Sequence, residues 1–131
     1  MASSNCQLTA RLLVLGCALT MMVGSASAST THKVGDSYGW ETPLQVKFFE
    51  DWAKSKTFHV GDVLSFEYRP TASNVVVVDK AGFDGCTSNA TPEAENNGAT
   101  TYTLAKAGDY YFINTHGKHC EYGQKLHVSV A

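Results

Sequence analysis

The chain has 131 residues, 44% of them hydrophobic, with 10 basic against 12 acidic side chains and a net charge of −2. That is enough for one hydrophobic core and too little for two. The charges are scattered, so there is no basic stripe for nucleic acid and no polybasic patch for a membrane surface.

Met1 to Ala28 reads as a secretory leader. Arg11 supplies the positive charge, an apolar run extends from Leu12 to Val23, and Ala26-Ser27-Ala28 gives the small-residue pattern at which such leaders are cut. The run is shorter than the roughly 20 apolar residues of a membrane-spanning helix. The mature domain is therefore expected to be Ser29 to Ala131. Cys6 and Cys17 leave with the leader, so Cys86 and Cys120 remain. In an oxidising compartment such a pair is expected to form a disulfide, and a loop of that size is worth roughly 3–4 kcal/mol in the chain-entropy account. The alternative for the pair is a free thiolate, acting as ligand or nucleophile.

In chain order, His32-Lys33-Val34 opens a first strand, punctuated by Gly35-Asp36 and Tyr38-Gly39. Lys47 to Lys56, around Phe49, Trp52 and Ala53, is the stretch that could carry a short helix. Phe58-His59-Val60 is a second strand candidate, closed by the Gly61-Asp62 turn signal. Val63 to Tyr68 alternates apolar and polar residues as a half-buried strand does, and Pro70 ends it. Val75 to Val78 reads as a strand buried on both faces. Thr87 to Ala99 is polar and reads as a loop or a short helix. Thr100 to Leu104, Tyr110 to Ile113 and Lys125 to Val130 are three further strands, with a turn at Lys106 to Asp109. About seven short strands separated by turn residues predict an all-β sandwich or barrel with one or two short helical segments. Trp40, Phe48, Phe49, Trp52, Phe58, Phe66, Tyr110 and Phe112 are expected to fill the core; Tyr38 and Tyr122 could instead stack on a carbohydrate. The chain stops soon after the last strand, without the spacer and apolar tail of a glycolipid-anchor signal, so neither a transmembrane nor a glycolipid anchor is expected.

One cluster carries chemistry. Tyr110 to Ile113 feeds Asn114-Thr115-His116-Gly117-Lys118-His119-Cys120, and Gly123-Gln124-Lys125-Leu126 returns into the last strand. Blue copper loops have this form, because a tight loop between two strands can hold two imidazoles, a thiolate and a weak axial ligand rigidly around one metal.

The mature chain resembles the phytocyanins, the plant branch of the cupredoxins. The resemblance runs through Val34-Gly35-Asp36, Gly39-Trp40, Asp51-Trp52-Ala53, Val60-Gly61-Asp62 and Asn74 to Val78. It continues through Phe83 to Cys86, Gly108 to Ile113, His119-Cys120 and Gly123 to Leu126. It implies a cupredoxin-like Greek-key β-sandwich with the family's disulfide at Cys86 and Cys120. Carried over by position, the family's copper ligands fall on Ser73, Asn114, His119 and Gln124. Ser73 stands for the first histidine and Asn114 for the cysteine. His119 keeps the second imidazole, and Gln124 is the axial choice of the stellacyanin branch. Two of four ligands, including the thiolate, are thus replaced by neutral oxygen donors.

The expectation is a secreted module of the apoplast or cell wall that binds a partner or serves a structural role, holds no cofactor and acts as a monomer. The alternative is a copper electron carrier with an altered site, in which His116 could add an imidazole. His32, His59 and His127 are scattered and read as surface or structural residues. Ser73, Asn74, Asn114, Thr115, His119 and Gln124 offer a polar rim to an extracellular carbohydrate or protein. No nucleophile-elbow, paired-carboxylate, phosphate-cradling or zinc-protease motif is present, so no catalysis is expected. Asn89-Ala90-Thr91 is an acceptor for N-glycosylation.

Overall fold

A computed structural model describes residues 28–89 and 97–131. The leader through residue 27, Cys6 and Cys17, and Ala90 and Thr91 of the glycosylation acceptor lie outside the described residues. No described helix is long and apolar enough to cross a membrane.

The described strands are β1 (Thr31–Lys33), β2 (Val63–Glu67), β3 (Val76–Val78), β4 (Ala99–Thr103), β5 (Gly108–Ile113) and β6 (Lys125–Val130). They form two three-stranded sheets, in the orders β1-β2-β4 and β3-β5-β6. β1 runs parallel to β2, and every other strand pair is antiparallel. Two short helices, α1 (Phe48–Lys54) and α2 (Lys80–Gly85), and a 3-10 turn at Asp36–Tyr38 complete the described elements.

The alternation read from the sequence becomes an inward face. Leu64 and Phe66 of β2, Phe112 of β5, and Leu126 and Val128 of β6 are all buried between the sheets. Trp40 stands at the centre, fully buried, with Phe49 and Phe66 at ring-centroid distances of 4.9 and 5.1 Å. Its Nε1–H donates to the Asn74 carbonyl at 2.9 Å, which satisfies the one polar atom of the indole. Gly35 lets the chain double back beneath it. At φ +79° a side chain would be strained, and a Cβ there would lie 2.5 Å from the Gly39 carbonyl oxygen.

Three expectations change. Phe58 to Val60 does not form a strand; Phe58 makes a single parallel bridge to Val130. β3 is not buried on both faces: it is an edge strand, and Val77 is 48% exposed. α2 arises where the sequence offered no helical period. Its N-cap Asp79 accepts a hydrogen bond from the Gly82 N–H at 2.8 Å, and Lys80 pairs with Asp84 four residues on. α2 packs on the outer face of the second sheet, where Phe83 and Cys86 join a small cluster of Val76, Ile113 and Cys120. The Cys86–Cys120 disulfide is formed, with Cα atoms 5.8 Å apart, and closes a separation of 34 residues.

Asp62 ties down the N-terminal part of the sandwich. It is 3% exposed, and its carboxylate accepts hydrogen bonds from the N–H groups of Thr30 and His59 and from His32 Nε2, each at 3.0 Å. Burial pushes its pKa up, but the bonds from His32, Thr30 and His59 outweigh that and hold it at about 2. The Gly61-Asp62 pair is thus both a turn, with Gly61 at φ +95°, and the anchor of β1.

Candidate functional site

The loop from His116 to Gln124 is wound by backbone bonds from His119 to His116, Tyr122 to Lys118, Gly123 to Cys120 and Gln124 to His119. Gly123 is required by a close approach: at φ +113° its Cβ would stand 2.6 Å from the Val46 carbonyl oxygen. The disulfide holds Cys120, beside His119, against the end of α2. Ser73 and Asn74 arrive from the segment before β3, and Thr42 from the loop before α1.

All four positions carried over from the copper-site pattern converge, around Asn114. This residue is fully buried, and its Oδ1 accepts from the backbone N–H groups of Asn74 at 3.2 Å and His116 at 2.9 Å. Two backbone donors fix that oxygen, so Nδ2 must face the other way. There it donates to Gln124 Oε1 at 2.9 Å and to the Ala72 carbonyl at 3.2 Å. Gln124, also fully buried, accepts at the same Oε1 from Thr42 Oγ1 at 2.9 Å and donates from Nε2 to Ser73 Oγ at 2.9 Å.

His119 completes the network. Its Nδ1 lies 3.0 Å from the Ala72 carbonyl oxygen and 3.1 Å from Asn114 Nδ2. A carbonyl can only accept, and both Asn114 amide hydrogens already have oxygen acceptors. The assignment that satisfies every group puts a proton on Nδ1, donated to Ala72, and leaves Nε2 as the ring's acceptor.

These residues do not fit a blue copper centre. That centre needs a thiolate and two imidazole lone pairs aimed at one point. Here an amide N–H2 group stands at the cysteine's position and repels a cation. The Nδ1 of the single imidazole carries a proton, and Gln124 Oε1 is engaged by two donors. The backbone N–H of His116 joins the network, and its ring Nε2 is buried with no hydrogen-bond partner among the described residues. Among those residues, no group of three His, Cys, Asp or Glu side chains could hold a metal ion.

The polar rim is smaller than expected. Ser73, Asn74, Asn114 and Gln124 are buried, 3% exposed or less, and bonded to one another or to neighbouring loops. Thr115 is exposed and His119 partly so, although Thr115 is itself bonded through Oγ1 to Asn74 Nδ2 at 2.7 Å. The Thr42 hydroxyl is the partner that sequence reasoning missed, since nothing local marks a contact across 82 residues. Asn89 is exposed at the end of the segment after α2. His32 and His127 are bonded to Asp62 and Asp109, and His59 bonds Asp62 through its backbone N–H.

Residues 40–124 match the plastocyanin-like domain family. Early nodulin-like protein 7 of Arabidopsis thaliana is 40% identical over 132 aligned residues, covering 99% of this chain and 67% of the relative. Stellacyanin of Toxicodendron vernicifluum is 38% identical over 103 residues, covering 77% of this chain and 96% of the relative. Among solved structures, cucumber stellacyanin with Cu2+ superposes with a TM-score of 0.77 at 39% identity, over 80% of this chain and 97% of that one. Cucumber basic protein, a blue copper protein, gives a TM-score of 0.68 at 35% identity, over 78% and 100%. The fold is that of the cupredoxins. The chain belongs to the phytocyanin family.

Proposed function

We propose that this phytocyanin is a secreted binding or structural module rather than an electron carrier, and that its own hydrogen-bond network replaces the copper that would otherwise hold the site together. The observation that carries the proposal is the Asn114 amide, which takes the cysteine's place and engages His119, Gln124 and three backbone groups from two segments at once. Secretion is supported by the leader pattern at Met1 to Ala28 and by the Cys86–Cys120 disulfide. The same setting would make the exposed Asn89 available for glycosylation. A carbohydrate or protein at the rim would meet Thr115, His119 and the exposed Tyr122, since the other polar groups are turned inward.

The decisive test is a copper titration of the purified secreted protein followed by optical and EPR spectra. Weak, non-stoichiometric uptake without an intense visible band is the expected result. Stoichiometric uptake with such a band would overturn the proposal. That outcome would favour a second reading, an electron carrier with a Gln-type axial ligand, for which the juxtaposition of His119 and Gln124 and the copper-binding relatives speak.

A further inference from the structure

A groove of about 620 Å³ lies over the outer side of β6, between α1 and α2. It shares no lining residue with the Asn114 network, so what it binds is independent of the copper question. Ala53, Phe58, Phe83 and Val128 give it apolar walls. Lys54, Lys56 and Lys125 line it against one lining carboxylate, Glu50, although the Lys56 ammonium turns towards Asp36 and the Trp52 ring, which lie outside the groove. That local positive excess runs against the sign of the chain, whose net charge is −2.

The three lysines differ in how they are held. Lys54 pairs with Glu50 at 3.1 Å and Lys56 with Asp36 at 3.3 Å; Lys54, Glu50 and Asp36 are more than half exposed. Exposed pairs of this kind hold little energy and exchange readily for another carboxylate. Lys125 is more constrained. Its Nζ donates to the Phe83 carbonyl at 3.0 Å and lies 4.4 Å from the centre of the Phe83 ring, with no carboxylate within 4 Å among the described residues. An ammonium has three donors, so two remain for a ligand. His127, which also lines the groove, is bonded through Nε2 to Asp109 at 2.9 Å.

We propose that this groove binds a small organic carboxylate with an apolar body, the carboxylate on Lys125 and the body along Phe83, Ala53 and Phe58. The volume suits a small molecule, and a largely apolar wall with a few convergent charges is the usual make-up of such a site.

The test is an NMR titration of the isotope-labelled domain with phenylacetate, using 2-phenylethanol as the neutral counterpart. Saturable shifts at Ala53, Phe83, Lys125 and Val128 are expected, with the alcohol about tenfold weaker, the size of one charge-assisted hydrogen bond. Lys125→Gln, which keeps a donor for the Phe83 carbonyl, should weaken binding about tenfold without changing the melting temperature. Ala53→Gln, which fills the groove from α1, should weaken it by other means. Absence of saturable shifts, equal binding of the alcohol, shifts centred on His119, or self-association covering the same residues would each overturn the proposal.

Discussion

Asp62 and Asn114 do the same structural job by different chemistry. Each is a buried polar residue that gathers chain segments far apart in sequence: Asp62 joins residues 30, 32 and 59, and Asn114 joins 72, 74, 116, 119 and 124. Asp62 does so as an anion that only accepts. Asn114 is neutral, and it both donates and accepts. The anion gains strength from charge and is vulnerable to acid, whereas the amide is indifferent to pH over the same range. The difference shows that a buried amide can organise a loop of this shape through hydrogen bonds alone. A primary amide has enough donors and acceptors to satisfy the groups that ligation would otherwise organise.

The sharpest way to break the comparison is to put a charge into the second centre. Ser73→His combined with Asn114→Cys should convert weak copper uptake into stoichiometric binding with an intense visible band, read by optical titration. If the combined variant folds and stays colourless with copper, the backbone has moved away from the ligand geometry.

Asn114→Ala comes next. It strips partners from the Asn74 and His116 N–H groups, the Ala72 carbonyl and the Gln124 side-chain oxygen together, so a loss of about 3 kcal/mol is expected. Calorimetry should show a fall in melting temperature of about 15 °C. A fall of only a degree or two would mean that water replaces the amide at little cost.

Asp62→Asn is expected to cost somewhat less, about 2 kcal/mol, because one amide N–H2 would face groups that are themselves donors. Its diagnostic is pH. The folded pKa lies below the ordinary carboxylate value of 3.8, so Asp62's contribution is complete above about pH 4 and is lost as the pH falls towards 2. Denaturant midpoints for the parent chain should fall across that window, and those of the Asp62→Asn variant should fall less.

Much of this was legible in the sequence, for physical reasons. Period-two alternation at Val63 to Tyr68 and Lys125 to Val130 produced β2 and β6 because each has one buried face. Phe58 to Val60 had strand composition, yet only Phe58 bridges to a strand, while the His59 carbonyl closes the turn to the Asp62 N–H. α2 was hidden because two of its six residues are glycines, and its stability comes from the Asp79 cap, the Lys80–Asp84 pair and burial of Phe83. An Asp followed by an i,i+4 charge pair was the signal available. At the site, Ser73, Asn114, His119 and Gln124 were singled out by position, and the fold brings them together. Their bonding to one another was not legible, since donor and acceptor roles depend on which backbone groups arrive from residues 72 to 74.

The disulfide has a consequence for the chain as a cut object. A protease acting between residues 87 and 97 would leave β1 to β3 on one fragment and β4 to β6 on the other, and each sheet would still contain strands from both. Cys86 and Cys120 would also fall on opposite fragments, so the halves would remain covalently joined. Nicked protein would migrate as one species on a non-reducing gel and as two after reduction. The bond thus tolerates backbone scission in this connection without letting the two halves separate.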